Sequence, residues 1–215
     1  MELLLGRKDV KSDKPDSDGW TPLHCASRNG HEEVAKLLLE RDDVSPDNPD
    51  NDGRTPLYCA ALNAHEGVVK MLLEREDVNP NGPSGRRQTL LSCAAENGRQ
   101  GVVKMLLKRD DIDPNKPGNY GRAPFWWAAR NGHEGVIRIL LERDDINPDK
   151  PDEYGRTPLS CAARNGHKGV VKILLKRDDV SPDKPDDDGQ TPLQEAIQGG
   201  NAGVVALLQP RGRPI

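Results

Sequence analysis

The chain has 215 residues, of which 34% are hydrophobic and 3% aromatic, and 31 basic against 35 acidic side chains leave a net charge of −4. This charge-rich composition lies near that of disordered segments and excludes one large aromatic core. The ability to fold must therefore come from the pattern in which the apolar residues are placed along the chain. No run approaches the ~18 apolar residues that span a bilayer. The mild charge also gives no general attraction to nucleic acid or to a membrane surface.

The chain repeats itself every 34 residues, as two columns of anchor positions show. The first column is Thr21, Thr55, Thr89, Ala123, Thr157 and Thr191, and the second is Cys25, Cys59, Cys93, Trp127, Cys161 and Glu195. A fixed period of this length is typical of repeat arrays. The phasing predicts copies at 16–49, 50–83, 84–117, 118–151, 152–185 and 186–215, the last being a C-terminal capping repeat.

Residues 1–15 are predicted to be a partial N-terminal repeat, because their leucines align with the second helix of the next copy. We interpret the chain as a piece of a longer repeat protein, with a naturally short cap as the alternative. The first six residues are too short and too acidic for a signal peptide, so we expect an intracellular protein, cytoplasmic or nuclear.

Each copy predicts two helices, as the first copy illustrates. Thr21-Pro22 begins a helix, since threonine is a good N-cap and proline fits the first turn. Gly30 ends that helix, and a second apolar stripe follows over residues 34–39. Pro46 and Pro49 then interrupt any helix. Such pairs bury their stripes only against neighbouring pairs, so we predict an all-α, helix–turn–helix repeat solenoid.

Residues 18–26 read Asp-Gly-Trp-Thr-Pro-Leu-His-Cys-Ala and are followed by Asn29-Gly30-His31. This motif resembles the ankyrin repeat, and the resemblance covers nearly the whole chain. It implies a helical stack with projecting finger loops, and a concave surface of fingers and first helices that binds protein partners. It also implies a Thr21–His24 hydrogen bond.

The chain departs from the family pattern in several places. Each copy is one residue longer than usual, and Arg-Asp-Asp-Val stands where a glycine commonly follows the second helix. Ala64 replaces the turn glycine of the second copy, which costs about 1 kcal/mol if its φ is positive. Gln194 and Glu195 replace apolar or small residues in the sixth copy, which fits a polar cap.

Candidate partner-binding residues follow from the resemblance, because the variable positions before Thr and late in the first helix should face the concave side. Those selected are Trp20, Arg54, Arg86, Tyr120, Arg122, Trp126, Arg130, Tyr154, Arg156 and Arg164. Arginine and tyrosine commonly anchor interfaces. The alternative is that these arginines are a solvated repeat consensus copied by duplication.

Phe125-Trp126-Trp127 holds three of the seven aromatic residues. Trp127 occupies the cysteine column, so we interpret it as core. Trp126 occupies a more variable position, where it is expected to meet a partner or a small apolar ligand.

No catalytic, metal or cofactor site is predicted. His31, His65, His133 and His167 recur at one repeat position, so neighbours lie about 10 Å apart, too far to share a metal, and each is expected to tie its turn by hydrogen bonds. The four cysteines are similarly too far apart for disulfides and are interpreted as small buried hydrophobes. No nucleophile triad, P-loop or HExxH motif is present.

The leading hypothesis is a non-enzymatic protein-binding scaffold, monomeric unless its ends associate. The alternative is recognition of an acidic ligand, a phosphopeptide or polyanion, by the Arg/Tyr stripe of the middle repeats. A third hypothesis, an enzyme with a pocket at Trp126, has no motif behind it.

Overall fold

A computed structural model describes residues 11–82 and 88–209. Within these ranges the chain forms α-helices, one short 3-10 turn and no strand, which confirms the predicted all-α repeat fold. The partial repeat expected at 1–15 lies largely outside the described residues, and its boundaries, like those of the six copies, stay a prediction. None of the described helices has the length and apolarity to cross a bilayer.

Each copy contributes a first and a second helix, as the sequence predicts. The first helices are α1 (Pro22–Asn29), α3 (Pro56–Leu62), α5 (Leu90–Glu96), α7 (Pro124–Arg130), α9 (Pro158–Arg164) and α11 (Pro192–Gln198). The second helices are α2 (Glu32–Leu39), α4 (Glu66–Leu73), α6 (Gln100–Leu106), α8 (Glu134–Leu140), α10 (Lys168–Leu174) and α12 (Ala202–Leu208).

The chain divides into two compact units. The first comprises Met1–Ala94 and Gly101–Ile112, and the second comprises Ala95–Gln100 and Asp113–Ile215. Inside each unit, helices of the same kind pack on one another: α1 on α3 in the first, and α7 on α9 and α9 on α11 in the second. The second helices pack likewise, with α2 on α4, α8 on α10, and α10 on α12.

The core is a column of small and aliphatic side chains, which explains how few aromatic residues suffice. Leu23, Leu57 and Leu159 are at most 1% exposed at one repeat position, and Val68, Val136 and Val170 are fully buried at another. Burying each such side chain contributes roughly 1.5–3 kcal/mol. The stack therefore needs only one apolar stripe per neighbouring copy.

Local hydrogen bonds fix the helix starts and turns. The Thr21 hydroxyl accepts the His24 N–H and lies 2.9 Å from His24 Nδ1, so the implied Thr–His contact is present. Three of the four turn histidines act as predicted: His65, His133 and His167 each donate from Nε2 to a carbonyl at the end of the preceding first helix, at 2.8–2.9 Å. His31 makes no such contact within the described residues.

The segments that begin with arginine after each second helix, Arg-Glu-Asp at 75–77 and Arg-Asp-Asp at 109–111, replace the usual glycine with a side-chain cap. Arg75 donates from two of its nitrogens to the carboxylate of Asp77. Its Nη1 also donates, at 2.9 Å, to the carbonyl of Leu39, which ends the second helix of the preceding copy. Arg109 does the same with Asp111 and Leu73. The hydrogen bond from Arg75 lowers the pKa of Asp77. An arginine of the next copy thus satisfies carbonyls that glycine caps usually serve.

Candidate functional site

The second unit brings together seven of the ten predicted binding residues. They are Tyr120, Arg122, Trp126, Arg130, Tyr154, Arg156 and Arg164, and they come from two fingers and from helices α7 and α9. Five of them, with Glu195 of α11, line a pocket of about 230 Å³ that we call the arginine pocket. The 34-residue period explains this convergence, because equivalent positions in stacked copies face the same side.

Arg122 forms the centre of the arginine pocket and is held from several sides. Its guanidinium lies 4.4 Å from the ring centroid of Trp126 and 4.9 Å from that of Tyr120, and its Nε lies 3.3 Å from Asp152 Oδ2. Only 14% of the side chain is exposed. Stacking on two rings and an ion pair together give this arginine a single orientation.

Asp152, which is not among the residues selected from the sequence, binds the finger backbone and two arginines. Its Oδ1 accepts the backbone N–H groups of Tyr154 and Arg156, each at 3.0 Å. Its Oδ2 accepts from Arg156 Nη2 at 2.8 Å, and the side chain is fully buried. Burial works against the charge of Arg156, but the hydrogen bond and charge of Asp152 outweigh it and raise the pKa of Arg156. The period contains the signal, because Asp16, Asp50 and Asp186 recur at this position.

Tyr120 and Tyr154 form an exposed tyrosine rim at the finger tips. They are 51% and 49% exposed, and their ring centroids lie 6.4 Å apart. Tyr120 has φ = 59°, a left-handed conformation that Tyr154 does not share. Gly118 stands where the fingers of four other copies carry an aspartate that accepts two backbone N–H groups, so this finger closes as a different turn.

Trp126 corrects one expectation. We expected its ring to meet a partner, but the side chain is 2% exposed, and its indole N–H donates to the Arg156 carbonyl at 3.0 Å. His24 makes the equivalent bond to the Arg54 carbonyl in the first unit, so Trp126 replaces a structural histidine and forms the wall beneath the arginines. Trp127 is 8% exposed and packs with Trp126 and Cys161, as predicted for a core residue.

Arg130 and Arg164 are the exposed arginines of the pocket. Arg130 lies 5.7 Å and 5.5 Å from the ring centroids of Trp126 and Trp127 and forms no ion pair with any residue in the described ranges. Arg164 donates from Nη1 to Glu195 Oε2 at 2.9 Å, with 56% of its side chain exposed. Of the two residues expected to form a polar cap, Gln194 is exposed, whereas Glu195 is only 3% exposed and is buried against Arg164.

The first unit holds two further predicted residues in a separate, more acidic hollow. Trp20 and Arg54 line a pocket of about 400 Å³ with Asp16, Asp18 and Asp52. Arg28 covers the Trp20 ring at 5.0 Å, and Arg54 pairs with Asp52. Both predicted groups are thus engaged within the chain. The tenth predicted residue, Arg86, lies outside the described residues.

The cysteine chemistry of the site does not favour nucleophilic catalysis. Burial, helped by the charge of Asp152, raises the pKa of Cys161 to about 12, and burial raises that of Cys59 to about 11. Both thiols stay protonated at neutral pH, and the thiolate is the reactive form. Cys25 differs from the expectation of burial, because it is exposed and no first helix among the described residues precedes α1 to cover it. Across 11–82 and 88–209, no three His, Cys, Asp or Glu side chains are grouped to hold a metal ion.

Comparison with solved structures agrees with this architecture. The crystal structure of EF0377, an ankyrin repeat protein, is similar with a TM-score of 0.77 and 26% identity, covering 86% of this chain and 95% of that chain. A chain in the structure of the Bd0816 predatory endopeptidase from Bdellovibrio bacteriovorus, in complex with immunity protein Bd3460, is similar with a TM-score of 0.79 and 24% identity. That match covers 93% of this chain and 100% of the other, and at this identity it shows the fold alone.

The family of the chain follows from its sequence. No curated protein sequence matches the chain. The family of ankyrin repeats, described as three copies, matches residues 1–84, 76–152 and 143–214. These matches span nearly all of the sequence and coincide with the stacked helix pairs. The chain therefore belongs to the ankyrin repeat family.

Proposed function

We propose that this chain is a protein-binding module that holds its partner on the fingers and first helices of the second unit. Ankyrin repeats generally mediate protein–protein interaction, and the fold is typically a non-enzymatic scaffold. The observation that carries the proposal is the tyrosine rim beside the arginine pocket. Tyr120 and Tyr154 are two of the three large hydrophobic side chains that are exposed in the described ranges, and they lie side by side.

The surroundings of the tyrosine rim support a contact role. Arg156 stacks over Tyr154 at 4.7 Å, and Arg122 stacks over Tyr120 at 4.9 Å, so each exposed ring is fixed from below by a guanidinium. A ring that is already ordered loses little rotamer freedom when a partner covers it. Tyrosine and arginine are the residue types that commonly anchor interfaces, and here they are clustered and their side chains are held in place.

The test is a binding measurement with a matched surface control. A protein captured by the wild-type chain from its native lysate is purified, and its affinity is measured against Tyr120→Ser/Tyr154→Ser and against Arg138→Ala/Lys172→Ala. The control residues are exposed on the second helices α8 and α10. We expect the tyrosine variant to lose at least about tenfold in affinity, a cost of about 1.4 kcal/mol, and the control to bind like wild type. Equal affinity of the tyrosine variant, or equal loss in both variants, would contradict the proposal.

A further inference from the structure

We infer that the arginine pocket recognises the phosphoryl group of a phosphorylated side chain in the protein partner. This inference rests on the proposed function, because the phosphorylated segment belongs to the bound protein. It names the chemistry that the pocket selects, and it assigns Glu195 a role as an internal competitor for that group.

The charge of the arginine pocket supports an anionic ligand with two charges. Four arginines, at positions 122, 130, 156 and 164, line it. Asp152, against Arg122 and Arg156, and Glu195, against Arg164, supply two negative charges, which leaves 4 − 2 = +2. A phosphorylated side chain carries about −1.5 to −2 at neutral pH, whereas a carboxylate carries −1 and would leave the pocket positive.

The hydrogen-bond donors that remain lie on the two exposed arginines. Arg130 forms no ion pair within the described residues, and Arg164 uses only Nη1, toward Glu195. Arg122 and Arg156 both form ion pairs with Asp152, so they give the base of the pocket a positive charge and a fixed geometry. Planar guanidinium groups with free parallel N–H donors match the oxygens of a phosphoryl group.

The pocket is built rather than incidental, because a buried charged residue lines it. Glu195 is 3% exposed and stands in a column that elsewhere carries cysteine or tryptophan. Its oxygen holds Arg164 at 2.9 Å on the side facing the pocket. The volume of about 230 Å³ is below the ~300 Å³ typical of drug-sized ligand sites and suits a group as small as a phosphoryl.

Glu195 explains why the pocket favours a phosphoryl group over a carboxylate. It is a carboxylate of the same chain, so its effective concentration at Arg164 is on the order of millimolar or higher. A carboxylate of the partner would make with Arg164 only the kind of ion pair that Glu195 already makes, so it gains little by displacing Glu195. A dianion with three acceptor oxygens can engage Arg130 and the unused donors of Arg164 together, and its second charge adds Coulombic attraction.

The experiment uses the intact chain and phenyl phosphate as the probe, with benzoate as the singly charged comparison. Binding is followed by ¹H–¹⁵N NMR of the Trp126 indole and the arginine Nε–Hε groups at low salt. We expect saturable shifts at these groups, with benzoate at least about fivefold weaker. Arg130→Gln should weaken phenyl phosphate by about tenfold, while Arg138→Gln, the same charge change on the exposed side of α8, should leave it unchanged.

Glu195→Gln separates a phosphoryl site from a general basic surface. The amide keeps an acceptor for Arg164 but removes the competing charge, so phenyl phosphate should bind about three- to tenfold more tightly. No saturation by about 20 mM, equal affinity for benzoate, equal loss with Arg138→Gln, or no gain with Glu195→Gln would each overturn the inference. Its failure is distinguishable from that of the proposed function, since partner affinity that depends on Tyr120 and Tyr154 can persist without phosphate binding.

Discussion

Glu195 Oε2 accepts a hydrogen bond from Arg164 Nη1 at 2.9 Å, and this contact joins a nearly buried carboxylate to a half-exposed guanidinium. The carboxylate lies deep because its repeat position is covered by the preceding copy, which is also why Cys161 is buried at the same position. A charge in such a place needs a partner, and Arg164 is the partner that the structure provides.

Removing Arg164 should therefore destabilise the second unit. Arg164→Ala leaves the Glu195 carboxylate buried without its charged partner, and we expect a loss of about 1–2 kcal/mol in the free energy of unfolding, discounted for the exposure of the arginine. Urea denaturation measures this change. In the Glu195→Cys background, which restores the usual residue of the column, the same Arg164→Ala change should cost less than about 0.5 kcal/mol. Equal costs in both backgrounds would show that the pair does not couple.

Asp47 marks a repeat position where an amide fits better than a carboxylate. Asn81 and Asn115 at this position donate from Nδ2 to the carbonyls of Asp111 and Asp145, at 2.9 and 2.6 Å. Asp47 has no such donor, and its Oδ1 is buried without a partner. We expect Asp47→Asn to raise the free energy of unfolding at pH 7 by about 1 kcal/mol, the usual worth of one hydrogen bond.

The gain from Asp47→Asn should depend on pH in a defined direction. Burial raises the pKa of Asp47, although the backbone N–H of Asn79 opposes the shift. Because the folded pKa is the higher one, the contribution of Asp47 to stability is complete below its unfolded pKa and is lost as pH rises through the folded pKa. The advantage of asparagine should therefore be small below about pH 4 and grow toward pH 7. Asp183→Asn, at the exposed equivalent position, should change stability by less than about 0.5 kcal/mol at either pH.

The sequence predicts the fold well because the period repeats the same local chemistry in every copy. Thr21 and Pro22 start α1 as expected, and His65 ties the turn as expected. These contacts are short in sequence or separated by one repeat, so the spacing of residue types determines them. The burial of Cys25 was not predicted correctly, because the burial of a repeat position depends on which helix precedes it in the stack.

The convergence of the candidate residues was predictable, and its detail was less so. The columns of Tyr and Arg predicted that these side chains come together in the second unit, and five of the predicted residues line the arginine pocket. They did not predict that Trp126 turns inward to the Arg156 carbonyl, or that Glu195 is buried against Arg164. Both outcomes depend on a partner group in the neighbouring copy. Because Trp126 and Glu195 each differ from the other residues at their repeat position, the repeat pattern does not predict which group each of them contacts.

Ala64 has φ = 60°, which confirms the backbone conformation on which its cost depends. The left-handed region disfavours residues with a Cβ atom, so Ala64→Gly should raise the free energy of unfolding by about 0.5–1 kcal/mol. The reverse change at an equivalent turn should cost more. Gly132 has φ = 74°, and a Cβ there would overlap the ring of His167. Gly132→Ala should thus displace that ring as well, with a loss of about 2 kcal/mol or more. Urea midpoints that fall for Ala64→Gly would contradict the strain argument.

Ala123 is the helix start at which the chain lacks a side-chain cap. It has φ = −79° and ψ = 164°, nearly the same as Thr157, whose hydroxyl accepts the Ser160 N–H at 3.1 Å. Ala123 makes no such bond to the first turn of α7. We expect Ala123→Thr to stabilise the chain by about 0.5–1 kcal/mol. The backbone at Ala123 already has the cap conformation, so the new hydroxyl can accept the backbone N–H of Trp126 in the first turn of α7.

The control for Ala123→Thr is Ala123→Val, which has nearly the same shape and no hydroxyl. Thr157 is fully buried at this repeat position, so the packing of the column accommodates a branched side chain. Valine should give no gain, and it should lose stability if its methyl groups crowd the indole of Trp126. A gain that is equal for threonine and valine would trace the effect to packing and not to the cap. If the threonine variant is more stable than both the wild type and the valine variant, the gain comes from the hydrogen bond that is missing at the start of α7.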